Sequence, residues 1–146
     1  MAINVSKVAV GGVAAGLFMG VVDVLVMKFV TGARMAAEAN AFKAGLGDMH
    51  TAPGAWMATL VMDIIMGLFL VWLYAAIRPR FGPGMKTGVY AAIFIWLVAS
   101  FFTVGYGMMG MMSWGLWTTY ALIWLVVLII GAGIGGRLYT EDGAPA

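Results

Sequence analysis

Four apolar stretches, each close to the length needed to cross a lipid bilayer, constrain this chain more than any other feature. They cover about Val8 to Val30, Trp56 to Ile77, Thr87 to Tyr106 and Trp114 to Gly136. A helix needs about 20 residues to cross a hydrocarbon core ~30 Å thick. Lipid offers no partner to a backbone N–H or C=O, so a spanning stretch satisfies its own backbone as a helix. Only 10% of the residues are charged, against roughly 25% in soluble domains. Too few polar groups are present to cover a water-facing surface. The expected fold is an all-α membrane protein, a four-helix transmembrane bundle of up-down topology in a single domain over residues 1–146. The first span is expected to be a retained anchor rather than a cleaved leader. Its apolar stretch exceeds the usual leader core of about 7–15 residues, and Asp23 lies inside it.

Orientation follows from the basic residues. Lys7, Arg78, Arg80, Lys86 and Arg137 fall on one side, and Lys28, Arg34 and Lys43 on the other. The balance, weighted by the dense Arg78 to Lys86 loop, predicts both termini in the cytoplasm and the chain in a bacterial inner membrane. Aromatic residues mark two interfacial belts, with Trp56, Tyr106, Trp114 and Trp117 towards the outer ends and Trp72, Tyr74, Tyr90 and Tyr139 towards the inner ends.

The connections differ. Between the first two spans, Met35, Ala39, Phe42, Leu46 and Met49 recur at spacings of three and four, and Arg34 and Glu38 form an i,i+4 pair. This predicts a short amphipathic helix over about 33–49 in the first outer loop, lying on the membrane or capping the bundle. Gly45, Gly47, Pro53 and Gly54 are expected to end it. The second connection, Arg78 to Lys86, reads as a tight turn in which Pro79 and Pro83 oppose continued helix. The third is the short Gly107–Met–Met–Gly–Met–Met–Ser113 segment.

Two features stand out against the apolar background. Gly12, Gly16 and Gly20 form a ladder on the first span, and Gly131 and Gly135 a shorter one on the fourth. Residues four apart share a helix face, and glycine there allows close approach of a second backbone. The second feature is polar. Asp23 and Asp63 lie inside spans, each seven residues from its outer end, which puts both roughly 10 Å deep. Thr59, Ser100, Thr103, Thr118 and Thr119 fall in the same outer half, while the inner half is almost wholly apolar. An intramembrane acid is expensive and points to function by default. Facing each other, the two acids could share a proton or hold a cation; alternatively each bonds a neighbouring helix and fixes register.

Methionine is abundant, with 13 in all. Met108, Met109, Met111 and Met112, with the lone His50 on the same side, are weak candidates for a Cu(I) site of soft thioethers. Methionine as adaptable apolar filler explains the same pattern. The chain has no cysteine, which removes disulfides, thiolate metal sites and cysteine nucleophiles. No hydrolytic triad or phosphate-binding glycine loop is present. No enzyme activity, cofactor or nucleic-acid partner is therefore expected.

The segment Trp72-Leu-Tyr-Ala-Ala-Ile-Arg-Pro-Arg-Phe-Gly-Pro-Gly-Met-Lys-Thr87 resembles a family of small uncharacterised bacterial four-span integral membrane proteins. The opening Ile3 to Gly16, the Ser113-Trp-Gly115 entry to the last span and the Gly135-Gly-Arg-Leu-Tyr139 ending are similar too. The resemblance implies an acidic residue in the first span, matched by Asp23, and supplies no activity; the Met-rich turn departs from it. The leading expectation is a non-catalytic subunit or assembly protein that packs through its glycine faces with copies of itself or a larger membrane complex. The competing one is a small transporter or ion- or proton-binding protein using Asp23 and Asp63, and the third is outer-side copper binding.

Overall fold

The computed structural model describes residues 3–52 and 54–140. Its elements are helices α1 (Val5–Val26), α2 (Gly32–Phe42), α3 (Ala55–Phe81), α4 (Met85–Met108) and α5 (Trp114–Leu138), with no strand among the described residues. Four helical stretches are long and apolar enough to cross a membrane, and the protein is a four-helix bundle. Neighbours run antiparallel. Along α1 and α3, Gly12 faces Leu68, Gly16 faces Ile64 and Gly20 faces Leu60. Along α1 and α5, Gly11 meets Gly135 at one end, and Tyr120 reaches Asp23 towards the other. Helix α1 packs on both α3 and α5, and α4 lies chiefly against α5. The start of α1 and the end of α5 are therefore on one side, here the terminal side; the other is the distal side.

The first connection differs from expectation in two respects. The amphipathic segment is helical, but it is not a separate element: α1 and α2 form one continuous helical stretch, Val5–Phe42. They are joined by a π-helical turn, Met27–Thr31, in which the Gly32 N–H donates to the Met27 carbonyl. A Cβ on Gly32 would overlap that carbonyl oxygen, so a side chain there would break the turn. Helix α1 alone, with 22 residues, is about 33 Å long. That is enough to cross the hydrocarbon, and α2 projects beyond it. The α-helix stops at Phe42, short of the expected Met49, because the chain turns at 43–46 and then forms a 3-10 turn, Gly47–Thr51. Asn40 fastens this turn: its Oδ1 accepts from the Gly47 N–H at 2.7 Å and its Nδ2 donates to Asp48 at 3.3 Å. Pro53 lies outside the described residues.

Helix α3 runs through Pro79 to Phe81, so the second connection is shorter than the two prolines suggest. Pro79 stands in the last turn, where the missing N–H removes only one bond. The Gly82 N–H closes the helix on the Arg78 carbonyl at 2.8 Å. Side chains then seal the turn: Thr87 Oγ1 donates to the Gly82 carbonyl at 2.6 Å and the Gly84 N–H donates to the Tyr74 hydroxyl at 3.1 Å. Helix α4 ends at Met108; two residues on, Gly110, with a φ of 75°, lets the Met111 N–H reach back to the Tyr106 carbonyl. Ser113 caps α5, its Oγ accepting from the Leu116 N–H.

The core lies in the terminal half and centre of the bundle. It contains Ala15, Met19, Leu70, Val71, Ala91, Ala92, Leu128 and Ala132, all buried. Both glycine ladders are filled from within the chain. A Cβ on Gly12 would sit 2.7 Å from Leu68 Cα, one on Gly16 would overlap the Ile64 backbone, and one on Gly11 would sit 2.7 Å from the Gly135 carbonyl oxygen. Gly131 lies over the Met19 side chain. Small residues let backbones of α1, α3 and α5 touch, gaining dispersion that larger side chains would forfeit.

Candidate functional site: a staggered acid pair between two chambers

The spacing of acid and glycine on two helices builds the site. Asp23 continues the glycine face of α1, and Asp63 precedes Gly67 by one turn on α3, so both turn inward; each is only 5% exposed. Their depths are less alike than the count from helix ends suggests. Asp63 lies beside Gly16 and Gly20, three to seven residues nearer the terminal side than Asp23, or about 5–10 Å along the helix. The Asp63 side chain leans towards the start of its own helix, as helical side chains do. Its Oδ2 would stand 3.4 Å from a Cβ on Gly20. Tyr120 links them: its hydroxyl reaches Asp23 and it lines the same chamber as Asp63.

Their partners differ. The Tyr120 hydroxyl, from α5, donates to Asp23 Oδ1 at 3.3 Å. Asp63 Oδ2 is buried and has no hydrogen-bond partner. A buried charge without a partner is strongly unfavourable.

A chamber opens on each side of this cluster. The first, about 210 Å³, lies between α3, α4 and α5 and is lined by Asp63, Ser100, Thr103, Trp96, Trp117, Tyr120 and Trp124, among others. The second, about 500 Å³, lies nearer the distal side between α1, α2 and α3 and is lined by Asp23, Lys28, Trp56, Thr59 and Tyr120, among others. Tyr120 borders both. Polar groups therefore step down from the distal side: Lys28, then Asp23 with Tyr120, then Thr59, then Asp63. Below them Met19, Leu70, Val71 and Leu128 close the way, with the backbones of Gly11 and Gly135 in contact.

The other polar residues divide. Ser100 and Thr103 line the first chamber and Thr59 the second. Thr59 also donates back to the Ala55 carbonyl at 3.1 Å. Thr118 and Thr119 are exposed, and Thr119 donates to the Gly115 carbonyl; α5 presents Trp117, Tyr120 and Trp124 inward instead, which turns both threonines away. Of the methionines, Met111 and Met112 line an apolar pocket with Met35 and Leu116, whereas Met108 and Met109 are exposed. The His50 side chain lies outside the described residues. Among the described residues no three His, Cys, Asp or Glu side chains gather as a metal site.

Tyr120, Trp96 and Trp124 belong to the site and escape a reading that looks for charge. A signal was present: Trp96, Ser100 and Thr103, and Trp117, Tyr120 and Trp124, each recur at spacings of three and four, which puts each triplet on one helix face. A second missed constellation lies beyond the membrane on α2. The Glu38 carboxylate accepts from the Ser113 N–H at 2.6 Å and the Ser113 hydroxyl at 2.8 Å, and Arg34 donates to Glu38 at 2.9 Å and to Ser113 Oγ at 3.0 Å. The projecting helix is thus pinned to the start of α5, over the second chamber.

No family model, curated protein or solved structure matches the chain.

Proposed function

We propose that this membrane protein binds a proton or a monovalent cation at Asp23 and Asp63, entering from the distal side, and that it is a small transporter or ion-binding protein rather than an enzyme. The observation that carries this reading is Asp63, 5% exposed with its buried Oδ2 lacking a hydrogen-bond partner, in a bundle that buries a second acid, Asp23, nearer the distal side. Acids serving only as glue would each be satisfied by a neighbouring helix; Asp63 is not. The alternative role, assembly through glycine faces, loses its main support because those faces are occupied by α3 and α5 of the same chain. The balance of bases supports cytoplasmic termini, with Lys7, Arg78, Arg80, Lys86 and Arg137 on the terminal side. The resemblance to small bacterial membrane proteins supports an inner-membrane location.

Infrared difference spectroscopy of the protein in liposomes tests the reading. Stepping pH or sodium concentration is expected to change a protonated-carboxyl band that disappears in Asp63→Asn and shifts in Asp23→Asn. A difference spectrum identical in the parent and in the double Asn variant would overturn it.

A further inference from the structure

The first chamber is specific about what kind of cation it suits. We propose that it takes a small organic ammonium ion, with the charged head at Asp63 and the alkyl groups against the indole rings. This rests on the reading that the acid pair binds a cation. Size is the first argument. The space holds about 210 Å³ and is open on one side, which gives room for a compact molecule larger than a bare ion.

The chemistry of the wall is the second argument. Its polar groups are mostly committed to the protein itself. The Trp96 N–H donates to the Ala121 carbonyl at 2.7 Å, the Trp117 N–H to Thr103 at 3.2 Å, and the Tyr120 hydroxyl to Asp23 at 3.3 Å. What remains for a ligand is aromatic surface, the Ser100 hydroxyl and the Asp63 carboxyl group, which lines the chamber while its unpartnered Oδ2 lies behind, beside Gly20. A hard metal ion needs about six oxygen ligands, which this wall lacks. An alkylammonium ion spreads its charge over C–H groups, and those are attracted to aromatic faces as well as to a carboxylate. Lys28, the nearby cation, lines the other chamber and does not oppose a positive ligand here.

The probe is choline, titrated calorimetrically into the full-length protein in dodecyl maltoside free of phosphatidylcholine, beside dimethylbutanol, which replaces the charged nitrogen by carbon. Choline is expected to bind and the alcohol not. Asp63→Asn should weaken choline by about tenfold or more. Trp124→Leu should weaken it by roughly 2–30-fold, with Trp124→Phe restoring most of the loss because it keeps an aromatic face. Both tryptophan variants should keep the Asp63 infrared band, which also shows that they fold. Equal binding of choline and the alcohol, or no choline binding while that band persists, overturns this inference and leaves the cation reading standing. Loss of the band's dependence on Asp63 removes both. In nanodiscs, competition by phosphatidylcholine but not phosphatidylglycerol assigns the ammonium group to a lipid headgroup, and unchanged choline affinity assigns it to a free molecule; each supports the class.

Discussion

Replacing Gly16 by alanine tests whether the glycine ladder is an internal joint. The added Cβ would overlap the Ile64 backbone and stand 2.7 Å from the Asp63 carbonyl oxygen. Backbone atoms cannot swing aside, so α1 and α3 must separate locally towards the ordinary contact distance of about 3.5–4.0 Å. A gap of 0.5–1 Å forfeits about a quarter to a half of each dispersion well. If the joint is worth roughly one buried leucine, about 40–60 atom pairs at about 0.1–0.2 kcal/mol each, losing a quarter costs about 1–3 kcal/mol. Alanine also favours a helix over glycine by up to about 1 kcal/mol, which would mask part of the loss. Gly105→Ala supplies the control, because nothing lies within 4 Å of a Cβ there. Unfolding in mixed micelles with sodium dodecyl sulfate should place Gly16→Ala about 1–3 kcal/mol below Gly105→Ala, with the particle mass by light scattering unchanged. Equal stability of the two variants would refute the packing argument. A drop in mass without a drop in stability would show that the ladder joins separate chains.

Two further outcomes follow from the site and its distal cover. Tyr120→Phe removes the hydrogen bond to Asp23 and should cost about 1 kcal/mol while leaving the carboxyl infrared band present but displaced; a spectrum like the parent's would mean that the bond does not act on Asp23. The Ser113 N–H, with help from the Ser113 hydroxyl and Arg34, holds Glu38 below the usual carboxylate range. A depressed acid stabilises the fold above its unfolded value and loses that contribution as pH falls through its own lower value. The clasp between α2 and α5 should therefore hold at neutral pH and open on acidification below the ordinary Glu range; a crosslink between cysteines placed at Ala41 and Trp114, which line one groove beside Glu38, reports it, and pH-independent crosslinking would refute it.

Much of the fold was legible because hydrocarbon imposes a simple rule on length and polarity. Trp56, Trp114 and the short connections marked helix ends to within a few residues. The misreadings share a cause. Pro79 and the 33–49 periodicity are local signals, and their outcome depended on position: a proline in a last turn is harmless, and Gly32 allows a π turn that fuses two helices. The site was half legible. Asp23 and Asp63 announce themselves as charges in oil. Tyr120 and the tryptophans do not, because an aromatic side chain in a span looks the same whether it faces lipid or a chamber. Thr118 and Thr119 show the converse: a hydroxyl in the right half of a span contributes nothing to a site when the helix turns it outward.

The bundle is built asymmetrically, and the asymmetry explains where polar groups can exist. In the terminal half, Gly11, Gly12, Gly16, Gly67 and Gly135 bring α1 into backbone contact with α3 and α5, which closes the seams between α1 and these two neighbours. Towards the distal side the packing face of α5 changes from glycine and alanine to Trp117, Tyr120 and Trp124, and α4 answers with Trp96. Large rings facing one another hold these helices apart, and the space between them becomes the first chamber. The acids sit at this transition. Nearer the terminal side a carboxylate would meet only backbone and methyl groups; nearer the distal surface, water would satisfy it and nothing would need to bind. Between the two, Asp63 is buried from water yet borders the first chamber, the one depth at which the proposed binding of a cation could be both favourable and accessible.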